Sequence, residues 1–260
     1  MKVATWNVNS LKARIERVVD WLETNQIDIL LLQETKLKHE GFYADRFREL
    51  GYNSAHFGQG QWNGVAIVAK GEITEVELGL LGETFGEARA ISALVEGVRV
   101  YSLYIPNGRA LDNDHYRYKL DFLDKLAEQV RHQMKEEQPF ILGGDFNVAP
   151  TPMDVYDEAA FAGMTHVSDD ERSRIATLNE LGLTDLFRAI HPDDVVYTWW
   201  DYRNGAFHKN QGMRIDLLLA NQPVLRGLAG VEVDREERKG GGKEERPSDH
   251  APLVASFDLL

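Results

Sequence analysis

The stretch FILGGDFNVAP, at residues 140–150, passes from an apolar run into two glycines, an acid, an aromatic residue and an amide. A short apolar run bounded by turn residues is typical of a buried β-strand. Side chains alternate between the two faces of a strand, so Asp145 and Asn147 are predicted to share one face. The glycines before them let another backbone or a substrate approach closely. This strand end is therefore predicted to meet a ligand.

Seven further runs of this kind are predicted to be strands, at residues 2–9, 27–35, 63–70, 99–106, 195–202, 214–221 and 251–259. Helical spacing of apolar residues appears at 10–24, with Ser10 as the expected N-cap, at 114–135, and in shorter form at 42–50 and 174–190. Strands outnumber helices, and many follow one another directly. This order predicts an α+β fold of two packed sheets flanked by helices. No linker rich in Pro, Gly and Ser interrupts it, so residues 1–260 are expected to form a single domain.

The composition excludes several classes of protein. With 260 residues, 43% of them hydrophobic, the chain can build a sizeable core. It has no cysteine, which excludes disulfides, thiolate zinc sites and thiol nucleophiles. No apolar run is long enough to span a bilayer, and MKVATWNVNS lacks the apolar stretch of a signal peptide. We therefore expect a cytoplasmic protein with no membrane partner.

The formal net charge of −13 argues, taken alone, against a nucleic-acid partner, because nucleic-acid-binding surfaces are usually basic. Binding depends on local patches, however. Residues 153–173 hold six acids against one base and are interpreted as a solvated acidic surface, whereas 234–246 mix five acids with five bases around three glycines and are interpreted as an exposed loop. Residues 199–214 interleave Arg203, Lys209 and Arg214 with aromatic side chains. That pattern suits either a nucleic-acid contact or tryptophans in the core.

Polar residues recur where the apolar runs end. Besides Asp145 and Asn147, these positions hold Asn7 and Asn9; Gln33, Glu34 and Lys36; Asp216; and Asp249 with His250. One such residue alone is more often a turn or cap residue, and a lone histidine more often a structural one. Five such strand ends favour a shared site, and buried carboxylates that lie together need a cation.

The residue types of this predicted site indicate its chemistry. Oxygen donors favour Mg²⁺ or Mn²⁺ over zinc. A histidine beside such a cation suits general acid–base catalysis or charge stabilisation on a phosphoester. In an extended chain Asp249 and His250 point to opposite faces. Asp216 is therefore the predicted partner of His250, and Asp249 is left to face the metal or its waters.

The chain resembles the exonuclease III-type abasic-site endonucleases. It keeps their order of motifs from Lys2 to the last strand: TWNVNSLKAR, DILLLQETK, NGVAI, YIPNG, GGDFNVAP, GLTDLFR, YTWWDYR, MRIDLLLA and PSDHAPL. Single motifs such as SDH also occur in deoxyribonuclease I-like enzymes, sphingomyelinases and inositol-polyphosphate phosphatases. The combination with QETK, GDFNVAP and RIDLLLA is more specific to the DNA-repair branch. The resemblance implies a four-layer α/β/β/α sandwich, deoxyribonuclease I-like, with the site at one end of the sheets.

The resemblance also implies roles for named residues. The implied metal ligands are Asn7, Glu34 and Asp249. The implied catalytic residues are Tyr104 near the phosphate or leaving group, Asp145 and Asn147 around the attacking water, the Asp216–His250 pair that stabilises charge on phosphorus, and Asp249 on the metal or leaving-group side. The implied substrate-binding residues are Lys36, Asn107, Arg109, Trp199, Arg203, Met213 and Ile215. Of these, Trp199, Met213 and Ile215 would line an apolar pocket for a flipped sugar that lacks its base.

The implied function is that of a Mg²⁺-dependent (or Mn²⁺-dependent) DNA-repair nuclease in base excision repair. It would cut the phosphodiester 5′ to abasic sites in duplex DNA, degrade DNA as a 3′–5′ exonuclease, and clean blocked 3′ ends as a phosphatase or phosphodiesterase. The expected partner is duplex DNA with abasic sites or blocked 3′ ends, bound by a monomer. Two alternatives stay open: a phosphoesterase of the same fold acting on small molecules or lipids, and a catalytically dead binding protein. The latter should have lost one of Glu34, Asp145, Asp216 or His250, and all four are present.

Overall fold

Two six-stranded sheets lie at the centre of the computed structural model, which describes residues 1–240 and 246–258. The first contains β1 (Lys2–Asn7), β2 (Ile29–Gln33), β3 (Asn53–Phe57), β4 (Val65–Ala69), β13 (Leu228–Val233) and β14 (Leu253–Phe257), in the order β13-β14-β1-β2-β4-β3. The second contains β5 (Ile73–Leu78), β6 (Ala90–Val95), β7 (Val98–Tyr104), β8 (Phe140–Asp145), β9 (Thr184–Asp185) and β12 (Asp216–Ala220), in the order β5-β6-β7-β8-β12-β9. A short antiparallel pair, β10 (Trp199–Trp200) and β11 (Gly212–Met213), lies beside them.

Helices cover the outer faces of the two sheets. On these faces lie α1 (Ile15–Asn25), α2 (Ala44–Glu49), α3 (Asp114–Gln133) and α4 (Asp169–Glu180), whereas the short helices α5 (Leu186–Ile190) and α6 (Gln222–Leu225) pack their buried side chains into the cluster between the sheets. Apolar side chains of α1 and α2 pack on the outer face of the first sheet, and those of α3 and α4 pack on the outer face of the second. The four-layer α/β/β/α sandwich expected from the sequence is confirmed. Among the described residues, no helix is both long and apolar enough to cross a bilayer.

Strand alternation divides the core into three layers. In β2, Leu31 points into the cluster between the sheets, while Leu30 and Leu32 point to the helix side. In β8, Ile141 likewise lies between the sheets, and Leu142 packs towards α3. Both faces of each central strand are buried, which explains why these strands are continuous apolar runs in the sequence.

Several local predictions were wrong. Ser10 does not cap α1: it has a φ of 89°, and a 3₁₀ turn at Leu11–Ala13 separates it from the helix. The run 174–190 is two helices, because the chain turns at Gly182, with a φ of 103°, before β9. The run 195–202 yields only the two residues of β10. Six strands, β3, β5, β6, β9, β11 and β13, lie outside the predicted runs. Exposed positions break the apolar pattern of β3, β5 and β13, and β9 and β11 have only two residues each, whereas β6 is almost wholly buried and was missed.

The two charged stretches also differ from expectation. In 153–173, Asp154 and Glu171 are fully buried rather than solvated, because Arg214 pairs with the first and Lys119 with the second. In 234–246, a 3₁₀ turn forms at Arg235–Arg238, and residues 241–245 lie outside the described residues. The loop interpretation of that segment therefore stays a prediction.

Candidate active site

Six strand ends converge at one end of the two sheets. The parallel pair β1 and β2 brings Asn7 beside Gln33, with Glu34 following at once. The parallel pair β7 and β8 places Tyr104 beside Asp145. The antiparallel strand β12 begins at Asp216, directly opposite Asp145, and the segment before β14 carries Asp249 and His250. The topology thus gathers polar residues that are more than 200 positions apart in the chain.

A pocket of about 170 Å³ opens at this end. Its lining consists of Glu34, Tyr104, Asn107, Asp145, Asn147, His166, Trp199, Met213, Ile215, Asp249 and His250. Ten of these eleven were named from the sequence, and His166 is the addition. Asn7 and Asp216 lie just behind the wall, where they contact residues that line it.

Three potential ligands for a cation face one another in this pocket. One side-chain atom each from Glu34, Asp145 and His250 lies within 4.8 Å of the others. The amide nitrogen of Asn7 donates to Glu34 Oε1 (2.8 Å) and to Asp145 Oδ2 (2.9 Å), which holds the two carboxylates together. Lys36 pairs with the other oxygen of Glu34 at 2.9 Å. Glu34 has a φ of 51°, a left-handed conformation that non-glycine residues hold only when their surroundings enforce it.

The predicted pairing of His250 with Asp216 is confirmed. Nδ1 of His250 lies 2.8 Å from Asp216 Oδ2, and its Nε2 lies 3.7 Å from Asp145 Oδ2. Burial by itself lowers the pKa of His250, but the carboxylates of Asp216 and Asp145 overcome this and raise it well above its usual value. His250 is therefore a protonated imidazolium whose Nε2–H faces the pocket. Burial raises the pKa of Asp145, with Asp216 and Glu34 adding to the rise and His250 opposing it.

The carboxylate of Asp249 is held by Asn9 and Trp199 and does not pair with His250. Its Oδ1 accepts from Asn9 Nδ2 (2.9 Å) and its Oδ2 accepts from Trp199 Nε1 (3.1 Å). Burial raises the pKa of Asp249, but the charge of His250 and these two hydrogen bonds outweigh burial and lower it. Asp249 is thus an ionised carboxylate fixed at the pocket rim.

Asn107 and Asn147 form another part of the pocket wall, which we call the asparagine wall. The main-chain nitrogen of Asn147 donates to Asp145 Oδ1 (2.9 Å), and its side-chain amide donates to the carbonyl of Ile105 (2.9 Å). Its Oδ1 accepts from Asn107 Nδ2 at 3.3 Å. Asn147 lies beyond the end of β8 with a φ of 52°, so strand alternation does not place it. Its side chain reaches the same pocket as Asp145 because the backbone turns there.

Tyr104 completes the floor of the pocket. Burial raises the pKa of its phenol well above the ordinary value, and Glu34 and Asp145 add to the rise, so the hydroxyl keeps its proton. The guanidinium of Arg89 stacks on the ring, 4.7 Å from its centroid, and fixes its plane.

The donor set fits a hard divalent cation. Glu34 and Asp145 offer carboxylate oxygens, and the protonated His250 offers no lone pair towards the pocket. A cation here would also offset the mutual repulsion of the two buried carboxylates. The family resemblance implies that Asn7 and Asp249 are metal ligands beside Glu34. In this geometry the oxygen of Asn7 accepts from Asn9 N, and both oxygens of Asp249 accept hydrogen bonds, so their ligand role stays a prediction.

Three predicted substrate-binding residues lie outside the pocket lining. Lys36 is half-buried at the rim, paired with Glu34 and bonded to Asn9. Arg109 is exposed on the loop after β7. Arg203 is exposed over 82% of its side chain and pairs with Asp201.

The aromatic stretch 199–214 divides between core and pocket. Trp200 and Phe207 are buried in the core, whereas Trp199 reaches the pocket. Arg214 was wrongly expected on a basic surface: it is fully buried between Asp154 and Asp185, at 2.7 Å from each. A break between β11 and β12 lets Met213 and Ile215 line the pocket while Asp216 lies behind His250.

His166 could not be predicted from the sequence. It comes from an irregular segment before α4, where no strand end or periodic pattern marks it. Its Nε2 lies 3.4 Å from Asn107 Nδ2, and its Nδ1 contacts the carbonyl of Asn147. Burial and the nearby charge of Lys119 lower the pKa of His166 to about 4, so it is a neutral side chain in the pocket wall.

Several known proteins are similar to this chain in sequence and architecture over its whole length. Exodeoxyribonuclease III of Haemophilus influenzae is 30% identical over 270 residues, which cover 99% of this chain and 100% of that protein. An AP endonuclease from Archaeoglobus fulgidus superposes with a TM-score of 0.95 at 36% identity, over 100% of both chains. The 3′ phosphatase NExo from Neisseria, solved with a product DNA hairpin, gives a TM-score of 0.95 at 41% identity, again over 100% of both chains.

The profile of the Endonuclease/Exonuclease/phosphatase family matches residues 4–250, a span that contains all the residues of the pocket. The chain therefore belongs to the Endonuclease/Exonuclease/phosphatase family.

Proposed function

We propose that this protein is a metal-dependent DNA-repair nuclease. It hydrolyses the phosphodiester 5′ to abasic sites in duplex DNA and also acts on 3′ ends, as a 3′–5′ exonuclease and a 3′-phosphatase or phosphodiesterase. The observation that carries the proposal is the convergence of Glu34, Asp145 and the Asp216–His250 pair in one pocket. The names of the relatives support it, since they are an exodeoxyribonuclease, an AP endonuclease and a 3′ phosphatase.

Each of several pocket residues has a separate role in the proposed hydrolysis of a phosphodiester. Asp145, held in the pocket by Asn7 and by the main-chain nitrogen of Asn147, takes the proton of the attacking water, which Asn147 orients beside it. The imidazolium of His250 donates from Nε2 to an oxygen on phosphorus and stabilises the charge that develops there. Asp216 fixes the ring through Nδ1.

Glu34, with Asp145 beside it, is proposed to hold Mg²⁺ or Mn²⁺, which when bound would neutralise charge on the phosphate oxygens. Tyr104 would hold the substrate phosphate through its hydroxyl, and Asp249 lies at the rim towards the leaving group.

The apolar side of the pocket supports a lesion-bearing substrate. Trp199, Met213 and Ile215 line it opposite the polar wall, and about 170 Å³ suits a sugar without its base. On this basis, duplex DNA with abasic sites or blocked 3′ ends is the proposed partner. Monomeric action, a cytoplasmic location and a single domain stay predictions from the sequence.

Product mapping on three labelled duplexes tests the proposal. One carries an internal abasic-site analogue, one a 3′-phosphate, and one an undamaged recessed 3′ end. We expect a single cut 5′ to the lesion, release of inorganic phosphate, and a ladder from the 3′ end, respectively. If the folded protein left all three intact in Mg²⁺ and in Mn²⁺, the proposal would be wrong, and small phosphodiesters would be the substrates to try next.

A further inference from the structure

A buried ion pair lies directly behind the asparagine wall of the pocket. Lys119 of α3 and Glu171 of α4 are both fully buried and are paired with each other. The ammonium nitrogen of Lys119 also lies 2.6 Å from the main-chain oxygen of Asn147 and 3.2 Å from both the main-chain oxygen of Asn107 and Thr165 Oγ1, so its three protons are shared among four acceptors. One charged group therefore ties together the loop after β7, the loop after β8 and the segment before α4.

Glu171 fixes the third of these segments. Its Oε1 accepts from Thr165 Oγ1 (2.7 Å) and from the main-chain nitrogen of His166 (3.0 Å). Its Oε2 accepts from the main-chain nitrogen (3.1 Å) and the hydroxyl (2.7 Å) of Ser168, which caps α4. The carboxylate thus holds His166 against the carbonyl of Asn147 while it neutralises Lys119.

The loops held in this way have conformations that need support. Asn147 has a φ of 52° and Gly108 a φ of 92°. A left-handed non-glycine residue persists only where its surroundings over-determine it. A Cβ on Gly108 would lie 2.6 Å from Thr165 Oγ1 and 3.1 Å from Lys119 Cδ, so the loop is packed tightly against the pair.

We propose that Lys119 and Glu171 are positioning residues that set the Asn107 and Asn147 amides for catalysis. The inference rests on the proposed function, and it concerns the rate of hydrolysis rather than the affinity for DNA. Lys119 is fully buried, so it cannot touch the substrate. Its effect must pass through the two carbonyls that it holds, and buried partners of this kind fix the orientation of the groups that do the chemistry.

Lys119→Met tests this inference, because it keeps the length of the side chain and removes the ammonium. At saturating enzyme, we expect its single-turnover rate on the abasic duplex to fall about 10- to 100-fold. The dissociation constant for the same duplex, measured in EDTA, should stay at the wild-type value. Thr165→Val is the milder second variant, since it deletes only the hydroxyl that bridges Asn107 O and Glu171, and a smaller fall in rate is expected.

Leu178→Ala is the matched control for lost stability. Leu178 is fully buried on α4, in the apolar cluster that α3 shares, and it makes none of these hydrogen bonds. We expect this variant to melt at a lower temperature and to keep the wild-type rate below its melting point. Equal losses of rate in Lys119→Met and Leu178→Ala would overturn the inference, and so would a wild-type rate in folded Lys119→Met.

Hydrogen exchange tests the positioning role of Lys119 without relying on DNA cleavage, so it can be judged separately from the proposed function. If wild-type protein cut no DNA, the proposed function would be wrong, while exchange would still report on positioning. Amides in peptides spanning 105–109 and 146–150 should exchange faster in Lys119→Met than in wild type, and at the wild-type rate in Leu178→Ala. Unchanged exchange in Lys119→Met would contradict the positioning role.

Discussion

Asp216 contacts His250 directly and also helps to raise the pKa of Asp145, which lies opposite it on β8. The carboxylate is fully buried and lies behind the imidazole, 2.8 Å from Nδ1, so substrate meets the ring and not the acid. Its negative charge helps to keep the ring protonated, and its hydrogen bond directs Nε2–H into the pocket. We therefore expect Asp216 to act as a positioning residue, and its removal to slow the chemical step of the reaction.

Asp216→Asn is expected to lower kcat/KM on the abasic duplex by about 10²- to 10⁴-fold with the fold intact, because the imidazole loses both its charge partner and its fixed orientation. Steady-state cleavage and a circular dichroism spectrum measure this. Asp28→Asn is the matched control, since Asp28 pairs with Lys70 and lies before β2, at the other end of that strand from Glu34. A wild-type rate in Asp216→Asn would show that the orientation of His250 does not matter.

Residues at strand ends, or within a few positions of them, could be predicted from the sequence, and residues of helices and of irregular segments could not. Asp145, Asp216 and His250 follow or precede apolar runs, and a sheet brings such positions together whatever the loop lengths. His166 and Lys119 had no such signal. The first comes from an irregular segment, and the second lies in a helix where a lysine is ordinarily solvated.

The two glycines of β8 are needed because atoms of neighbouring strands lie too close for a side chain. A Cβ on Gly143 would lie 2.4 Å from Leu31 Cδ1 in the facing sheet. A Cβ on Gly144 would lie 2.0 Å from the carbonyl oxygen of Leu103 in β7. Side chains at these positions would push β8 away from both, and with it Asp145. The glycines thus allow the close packing that brings the strand end into the pocket.

Gly144→Ala is accordingly expected to lower the free energy of unfolding by about 3 kcal/mol or more, because a main-chain atom cannot yield as a side chain can. Urea unfolding followed by tryptophan fluorescence measures the change. Gly230→Ala is the matched control: it also lies in a strand, where nothing lies within 4 Å of the added Cβ. Equal stability losses in the two variants would contradict the packing account.

The buried Asp154 joins three elements next to the apolar wall of the pocket. Its carboxylate accepts from Arg214 Nε (2.7 Å), from Arg188 of α5 and from the hydroxyl of Thr151 (2.8 Å). Burial raises the pKa of Asp154, but the charge and hydrogen bonds of Arg214 outweigh burial and lower it. Because Arg214 directly follows Met213 in the chain, this ion pair anchors the strand that carries the wall.

Asp154→Asn should lower the free energy of unfolding at pH 7 by about 1–3 kcal/mol, since Arg214 would stay buried with Asp185 as its one remaining charge partner. The folded-state pKa lies below the unfolded value. The stabilisation is therefore complete above the unfolded pKa, about 3.9, and is lost as the pH falls through the folded pKa. Urea unfolding from pH 7 to pH 3 should show the gap between wild type and variant narrowing below about pH 4. A constant gap across this range would contradict the assignment.

At the scale of the whole molecule, the layers could be predicted but the sheet order could not. Central strands such as β2 and β8 are buried on both faces and stand out as apolar runs. The edge strands β3 and β5 are partly or mostly exposed, so their sequences resemble those of loops. Which strands pair depends on contacts between distant segments, and a single sequence does not encode those as a local pattern.

Net charge is the property of the whole chain that most opposes DNA binding. At −13, the protein must present a local basic surface to the phosphate backbone, and the exposed Arg109, Arg203 and Lys209 are available to it. With four or five phosphates neutralised, the dissociation constant should rise about 150- to 500-fold between 50 and 200 mM salt. Fluorescence anisotropy with a labelled duplex in EDTA measures this. A flat response would rule out a surface that follows the phosphate backbone.

We propose that a divalent cation and Asp145 act together in the pocket to cleave DNA. Cleavage of an end-labelled duplex with one abasic-site analogue tests it most directly, with wild type and Asp145→Asn each assayed in Mg²⁺ and in EDTA. We predict a single cut at the lesion by wild type in Mg²⁺, and none in EDTA or with the variant. Cleavage that persists in EDTA, or in Asp145→Asn at the wild-type rate, would contradict the claim.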